Sequence, residues 1–175
     1  GITIHRVILA LLLCATSAVA AEFKVANLFQ DHMVLQRDKP IKIWGWADVG
    51  GRVSVAFAGQ TKTVEAGKDG KWMVTLDPIP ASSAGRTMTV ASSVGRQTVE
   101  IKDVLVGEVW LCSGQSNMSY TMSRFGNCAA EVPQMNYPLI RHFKVFRASH
   151  ATPRKDVFGD WAVCSPETAR RFSAT

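Results

Sequence analysis

The chain has 175 residues, of which 47% are hydrophobic and 19% charged, so it can form one domain and part of a second and is not disordered by composition. Its formal net charge of +6 comes from lysines and arginines that are scattered along the sequence. There is no basic helix and no stripe of alternating aromatic and basic residues, so we do not expect the chain to bind nucleic acid.

Residues 1–20 have the pattern of a secretory signal peptide. His5 and Arg6 precede an apolar run over 7–13, and small residues follow up to Ala20, giving an A-x-A cleavage pattern. The run is shorter than the ~20 residues that span a bilayer. We therefore expect export to the periplasm or the extracellular space and no stable membrane anchor. A buried helix or a single anchor is the alternative interpretation.

Residues 21–103 are predicted to form an all-β sandwich, jelly-roll-like in its layout. Apolar and polar residues alternate, β-branched residues dominate, and glycine and proline turns recur at nearly regular spacing. Lys68-Asp69-Gly70 is typical of a hairpin turn before the strand over 71–76. The predicted strands are 23–29, 41–46, 52–57, 62–66, 71–76, 86–91 and 97–101.

The sequence changes character at Val104. Residues 104–111 are almost continuously apolar, which predicts a strand buried on both faces, as in a parallel sheet. A stretch of small, turn-forming residues follows over 112–117. We therefore expect residues 104–175 to be the start of an α/β domain that is truncated here. Further elements expected in it are a strand over 139–146 and a helix that begins at Pro166, with Ser165 as its N-cap.

Ser116 is the candidate nucleophile. A buried strand that runs into Gly-x-Ser and then into a helix holds the serine in a tight turn and directs free N–H groups at a developing oxyanion. Met118 stands where the G-x-S-x-G elbow of α/β-hydrolases has its second glycine. A polar turn in which Ser116 only caps a helix is the alternative. Ser113 is a weaker candidate because it precedes the turn.

A longer string around this serine resembles a known family. Residues 106–118, Val-Gly-Glu-Val-Trp-Leu-Cys-Ser-Gly-Gln-Ser-Asn-Met, are similar to the nucleophile block of the sialate O-acetylesterases, which are SGNH (GDSL-like) hydrolases. Three other segments also resemble the family and occur in its order: 28–37, 43–47, and 161–169 with 172–174. The resemblance covers essentially the whole chain after residue 20. It implies an N-terminal fragment in which a β-sandwich is followed by the start of an SGNH-hydrolase domain with a parallel sheet.

The resemblance also implies a chemistry. Ser116 would attack an O-acetyl ester of a sugar and form an acyl-serine, with its own backbone N–H in the oxyanion hole. Gln115 and Asn117 are expected to contact the O-acetylated carbohydrate, and no metal or other cofactor is implied. The family's base is a histidine of a late D-x-x-H motif, which these residues lack. We therefore expect the base, its aspartate and the remaining oxyanion groups beyond residue 175, and little activity from these residues alone.

Two other functions fit the same sequence. The first keeps the chemistry but acts on acetylated plant polysaccharide such as acetylxylan. The second is a non-catalytic, carbohydrate-binding β-sandwich, in which tryptophans such as Trp44 and Trp46 stack on sugar rings, although burial in the core is the commoner role of tryptophan.

The remaining histidines and cysteines are expected to be structural. None of His32, His142 and His150 has a spacing that identifies a base. Three cysteines, Cys112, Cys128 and Cys164, follow the predicted signal peptide. They do not form a zinc pattern, and in an oxidising compartment one pair of them can form a disulfide, with the choice of pair left open.

Overall fold

The computed structural model describes residues 22–124 and 126–173, so the predicted signal peptide lies outside the described residues. Most of the regular structure is β. The strands are β1 (Lys24–Val25), β2 (Val34–Gln36), β3 (Ile41–Trp46), β4 (Arg52–Phe57), β5 (Gln60–Glu65), β6 (Lys71–Leu76), β7 (Ser82–Ser92), β8 (Thr98–Gly107), β9 (Tyr137–Val145) and β10 (Gly159–Cys164). Two short helices, α1 (Cys128–Glu131) and α2 (Pro166–Arg171), and 3₁₀ turns at Ser116–Ser119, Met122–Arg124 and Val132–Gln134 complete the described elements.

Two sheets enclose one hydrophobic core. A three-stranded sheet has the order β1-β3-β6, and a five-stranded sheet has the order β2-β8-β7-β4-β5. The alternation in sequence explains the packing, because every second residue of a strand points to the same face. Ile43 of β3, Leu76 of β6 and Val55 of β4 are fully buried in the shared core, whereas the residues between them point outward. The predicted, mostly β architecture is confirmed in this form, whereas the jelly-roll-like layout stays a prediction.

The strand predictions differ in their accuracy. The expected strands 41–46, 52–57 and 71–76 are confirmed to the residue as β3, β4 and β6. The expected strand 23–29 is wrong over most of its length, since only the two residues of β1 pair with β3. β2 was not predicted, because it has three residues and its alignment with β8 is parallel rather than through a local turn.

Lys68-Asp69-Gly70 does form a turn, but the predicted hairpin is wrong. Gly67 donates its N–H to the carbonyl of Lys71 at 2.8 Å, and Gly70 has a positive φ of 72°. The strand that follows, β6, pairs with β3 in the other sheet and not with β5. The reason is burial: β5 is an edge strand without a buried residue, whereas β6 buries Trp72, Val74 and Leu76 and therefore needs a place in the second layer.

The apolar run over 104–111 is divided between the end of strand β8 and an irregular segment. Val104, Leu105 and Val106 are all buried, as the run predicts, but they continue β8 of the five-stranded sheet instead of opening a new one. From Glu108 to Gln115 the backbone has no regular structure, and Trp110 and Leu111 are 84% and 96% exposed. Among the described residues after Gly107 the strands pair antiparallel, as β9 with β10, and the expected parallel sheet does not occur there.

A loop after β1 joins the two-sheet part to the β9–β10 pair. The Asn27 side chain donates to the carbonyl of Val157 at 3.0 Å, and the Gln30 side chain donates to the carbonyl of Gly159 at 3.0 Å. The Trp161 indole donates to the carbonyl of Leu28 at 2.8 Å. Since these contacts link residues about 130 positions apart, the loop positions the later part of the chain against the core.

A charged cluster also links the two-sheet part to the β9–β10 pair. Arg141 of β9, whose side chain is 5% exposed, donates to the Asp103 carboxylate at 2.7 Å, and His32 Nδ1 lies 2.7 Å from the same oxygen. The hydrogen bonds from Arg141 and then His32 hold the pKa of Asp103 below its ordinary value. Both His32 and Asp103 have positive φ angles, of 69° and 54°. The two strained residues are therefore held in place by their hydrogen bond to each other and by the ion pair of Asp103 with Arg141.

Candidate active site around Ser116

The segment that carries Ser116 is tied to the end of β2. The Gln36 amide oxygen accepts the N–H of Val109 at 2.9 Å, and its nitrogen donates to the Glu108 carboxylate at 3.1 Å. The backbone of Arg37 donates to the carbonyl of Gly107 at 2.9 Å. One glutamine thus directs the chain out of β8 and toward the serine turn.

Ser116 begins a 3₁₀ turn of four residues, which is shorter than the helix that the sequence predicts. The turn's first backbone bond runs from the N–H of Met118 to the carbonyl of Gln115 at 3.0 Å. The Ser116 N–H lies ahead of that bond, so the turn itself does not use it. Such an N–H is a suitable donor to an oxyanion, although a single 3₁₀ turn contributes little helix dipole.

The side chains of Gln115, Ser116 and Asn117 are all exposed. The structure therefore places the three predicted site residues side by side on an accessible turn. Gly114 packs against Met118, and a Cβ added at Gly114 would stand 3.1 Å from the Met118 Cγ. An alanine at position 114 would therefore require the Met118 side chain to move by a few tenths of an ångström.

The end of α2 holds the other side of this turn. The Ser173 hydroxyl donates to the carbonyl of Met118 at 2.5 Å, and the Met122 N–H donates to the carbonyl of Phe172 at 3.0 Å. The helix is itself fixed by the predicted N-cap, because Ser165 accepts the N–H of Thr168 at 3.2 Å in a capping box. Ser173 and Gln36 are thus supports of the serine turn that residue-by-residue reasoning missed, although both lie in segments that resemble the family.

The histidines do not complete the site. His142 is 9% exposed and stacks on Phe172 with 4.1 Å between ring centroids, and neither of its ring nitrogens has a hydrogen-bond partner in 22–124 or 126–173. His32 pairs with Asp103, and His150 is exposed. In the described part of the chain, no histidine is hydrogen-bonded to Ser116.

Burial, and to a lesser extent the charge of Lys144, lowers the pKa of His142 below its ordinary value of 6.5. Well above pH 6.5 the ring is neutral in both the folded and the unfolded chain. As the pH falls below 6.5, the unfolded chain takes up the proton first, so the free energy of unfolding falls, by at most about 1.4 kcal/mol per pH unit. His142→Phe, which keeps the ring stack, is expected to remove this loss in urea titrations at pH 7.5 and 5.5.

His150→Phe is the matched control, since His150 is exposed in a loop, and it should keep the pH dependence of the unmodified chain. An equal loss of stability in the unmodified chain and in His142→Phe between the two pH values would show that His142 does not titrate in this way.

The cysteines and the acidic residues add no further chemistry. Cys112, Cys128 and Cys164 are free thiols, exposed, half-buried and buried in that order, so the structure contains none of the possible disulfides between them. No cluster of three or more histidine, cysteine or acidic residues in the described ranges could hold a metal ion. In the same ranges, no helix is both long and apolar enough to cross a membrane.

Known proteins share this combination of sequence and fold, although no family model matches the chain. It is 33% identical over 132 residues to a sialate O-acetylesterase of Rattus norvegicus, covering 70% of this chain and 24% of that protein. It is 34% identical over 134 residues to the Homo sapiens sialate O-acetylesterase, covering 71% and 25%. A crystal structure of a carbohydrate acetylesterase from Xanthomonas citri superposes with a TM-score of 0.80 at 32% identity, covering 86% of this chain and 34% of that one. The chain thus spans about a quarter of the length of these curated relatives.

Proposed function

The chain belongs to the sialate O-acetylesterase family, and from this membership we propose that Ser116 is the nucleophile of a carbohydrate O-acetylesterase. The observation that carries the proposal is the accessible Gly114-Gln115-Ser116 turn, held between Gln36 and Ser173. Two of the segments that resemble the family, 28–37 and 172–174, thus contact the segment that contains the serine.

The chemistry follows from the residues of the turn. The Ser116 Oγ attacks the carbonyl carbon of an acetyl ester while a base removes the proton of the Ser116 hydroxyl. The carbonyl oxygen becomes an oxyanion that accepts a hydrogen bond from the Ser116 N–H. The C–O bond to the sugar then breaks, the sugar oxygen takes up the proton, and acetyl-serine remains. Water attacks this ester in the same manner and releases acetate. The exposed side chains of Gln115 and Asn117 are proposed to contact the sugar on either side of the reacting carbonyl.

The base and its aspartate are proposed to come from residues outside the 175. His32 and His142 have structural roles in the hydrogen bond with Asp103 and in the stack on Phe172. A serine without a base is a poor nucleophile at neutral pH, because the hydroxyl keeps its proton. The sandwich is proposed to occupy residues 21–103 and the first part of the catalytic domain residues 104–175, with the last strand of the sandwich, β8, ending at Gly107. The mature protein is proposed to be exported after cleavage at Ala20.

The proposed substrate is an O-acetylated sialic acid, and acetylated xylan is the other candidate. In the protein that carries these residues together with its base, acetate release from O-acetylated sialic acid is expected to exceed release from acetylated xylan when both are assayed side by side. The 175 residues alone are expected to hydrolyse either ester at nearly the background rate, because they lack the D-x-x-H motif. Release of acetate from xylan at the higher rate would assign the substrate to the plant polysaccharide instead. Strong turnover by the 175 residues that Ser116→Ala removes would show that the base lies within them.

A further inference from the structure

The outward face of the three-stranded sheet carries a groove that Ser116 does not line. Its volume is about 160 Å³. In the register of β3 and β6, Trp44 lies opposite Met73, and Trp46 lies opposite Lys71. These four side chains alternate with buried residues of the same strands, so they project from the outer face. The groove is lined by Trp44, Gly45, Trp46, Lys71, Trp72 and Met73.

Both outward indoles are half-buried and held in fixed orientations. Phe29 packs edge-on against Trp44 with 4.6 Å between ring centroids and an interplanar angle of 82°. The Lys24 ammonium lies 5.4 Å from the centre of the Trp46 ring. Met73, opposite Trp44 on the neighbouring strand, is 49% exposed. Because the rings are already ordered, a ligand that stacks on them loses little side-chain entropy.

The lining favours a sugar ring over other ligands. The face of an indole is electron-rich and attracts the weakly positive C–H bonds that a pyranose presents on its apolar side. The groove is smaller than the ~300–1,000 Å³ of pockets that enclose drug-sized ligands. It therefore fits one ring lying on the surface.

The charges around the groove favour an acidic sugar. Three lysines project from this face: Lys24, Lys42 and Lys71. Two aspartates accompany them, with Asp156 2.6 Å from the Lys24 ammonium and Asp69 3.0 Å from the Lys71 ammonium. The three lysines outnumber the two aspartates that pair with them, and Lys42 lies two residues before Trp44 on the same face of β3. A carboxylate on the stacked sugar finds a complementary charge there.

We propose that this groove is a second carbohydrate site, which stacks one carboxylate-bearing pyranose on Trp44 and Trp46, apart from the ester that meets Ser116. The acidic sugar as ligand rests on the proposed function, whereas the groove and its charges do not. Such a site would keep a sialylated glycan on the protein while its acetyl groups are removed elsewhere.

Binding to the chain is tested with 3′-sialyllactose as the probe and lactose as the uncharged comparison. The indole N–H signals in two-dimensional NMR report the binding. Sialyllactose is expected to bind with a Kd of ~1 mM, and lactose at least about tenfold more weakly. Trp46→Ala is expected to raise the sialyllactose Kd about tenfold, because a ring stack is lost. Met73→Glu is expected to do the same without affecting the core, since Met73 is half exposed. Trp110→Ala is the matched control, because that indole is 84% exposed outside the groove, and it should leave the Kd unchanged.

Two measurements separate this site from the nucleophile. Ser116→Ala should leave sialyllactose binding intact. Met73→Glu should leave the hydrolysis of p-nitrophenyl acetate intact in the protein that carries its base, since that ester has no sugar. Absence of binding, equal binding of lactose, or binding that Trp46→Ala and Met73→Glu leave unchanged would each overturn the second site, whatever the outcome for Ser116.

Discussion

Replacing Ser116 with alanine is expected to lower kcat/KM for acetyl-ester hydrolysis by at least about 10³-fold in the protein that carries these residues together with its base. In the proposed mechanism the alanine removes the only atom that forms the acyl bond, whereas the backbone N–H and the position of the turn remain. The residual rate would then come from the oxyanion hole and substrate binding alone. The measurement is acetate release from an O-acetylated sugar at saturating and limiting concentrations.

The matched control is Ser113→Ala, three residues earlier in the same exposed segment. It changes the same chemical group but precedes the turn, so it should alter kcat/KM by less than a factor of about three. Both variants should unfold at the same urea concentration as the unmodified protein, because neither hydroxyl is buried. If Ser116→Ala keeps its activity while Ser113→Ala loses it, the nucleophile has been assigned to the wrong serine.

Gly45→Ala is expected to reduce the free energy of unfolding by about 3 kcal/mol, a large share of the ~5–15 kcal/mol that stabilises a typical domain. A Cβ at position 45 would overlap the carbonyl oxygen of Lys24 and stand 2.7 Å from Cζ2 of the Trp72 ring. Neither neighbour can yield easily. Lys24 belongs to β1, which pairs with β3, and Trp72 is 2% exposed in the core. Urea denaturation followed by tryptophan fluorescence measures the loss.

Gly126→Ala is the matched glycine control, since a Cβ there meets nothing within 4 Å. Its free energy of unfolding should change by no more than a surface substitution does, about 0.5 kcal/mol, so its urea midpoint should stay close to that of the unmodified protein. Equal midpoints for Gly45→Ala and Gly126→Ala would mean that β1 and Trp72 do not pack against β3 as closely as described. The expected contrast also gives a physical reason for the glycine in the Trp44-Gly45-Trp46 segment.

The β-strands that the sequence predicts well share one property. β3, β4 and β6 each alternate fully buried core residues with outward ones, so their period of two is visible in the sequence. β2 and β10 were not predicted from the residues. β2 is too short to show a period, and the partly buried residues in the middle of β10 do not alternate strongly. Pairing with distant strands, which no local pattern encodes, determines both.

The apolar run over 104–111 shows why hydrophobicity alone misplaces a sheet. Val104 to Val106 are buried because β8 lies between β2 and β7 and packs on the core. Val109, Trp110 and Leu111 have the same apolar character but are exposed. Both groups have the composition of a buried strand, and only the tertiary contacts distinguish them. The division of the chain at residue 104 accordingly remains a prediction.

The serine turn was predictable as a motif, whereas its supports were not. Ser116 begins a tight turn two residues after Gly114, at the place where Gly-x-Ser indicates one. Gln36 lies about 70 positions before Val109, and Ser173 lies 55 positions after Met118, and no spacing rule connects such pairs. Their family-like segments were recognisable in the sequence. The structure adds a reason for two of these resemblances, because both segments hold the backbone on either side of the serine.

The loop after β1 gives a further structural reason for the resemblance of segment 28–37 to the family. Segment 28–37 contains an aspartate followed by a histidine, Asp31-His32, and we expect this histidine to be structural. In the structure Asp31 accepts the N–H of Lys102 at 2.6 Å, and His32 lies against Asp103. Both side chains therefore stabilise the packing of this segment on β8, and Asp103 in turn pairs with Arg141 of β9.

The most direct test of the nucleophile is covalent labelling. A phosphonate ester that mimics the tetrahedral intermediate should be incubated with the protein that carries these residues and its base, and the adduct then located by peptide mass spectrometry. We predict a single adduct on Ser116, blocked by excess O-acetylated sialic acid and absent from Ser116→Ala. An adduct on Ser113, on Cys112 or on any residue other than Ser116, with Ser116 unmodified, would contradict the account.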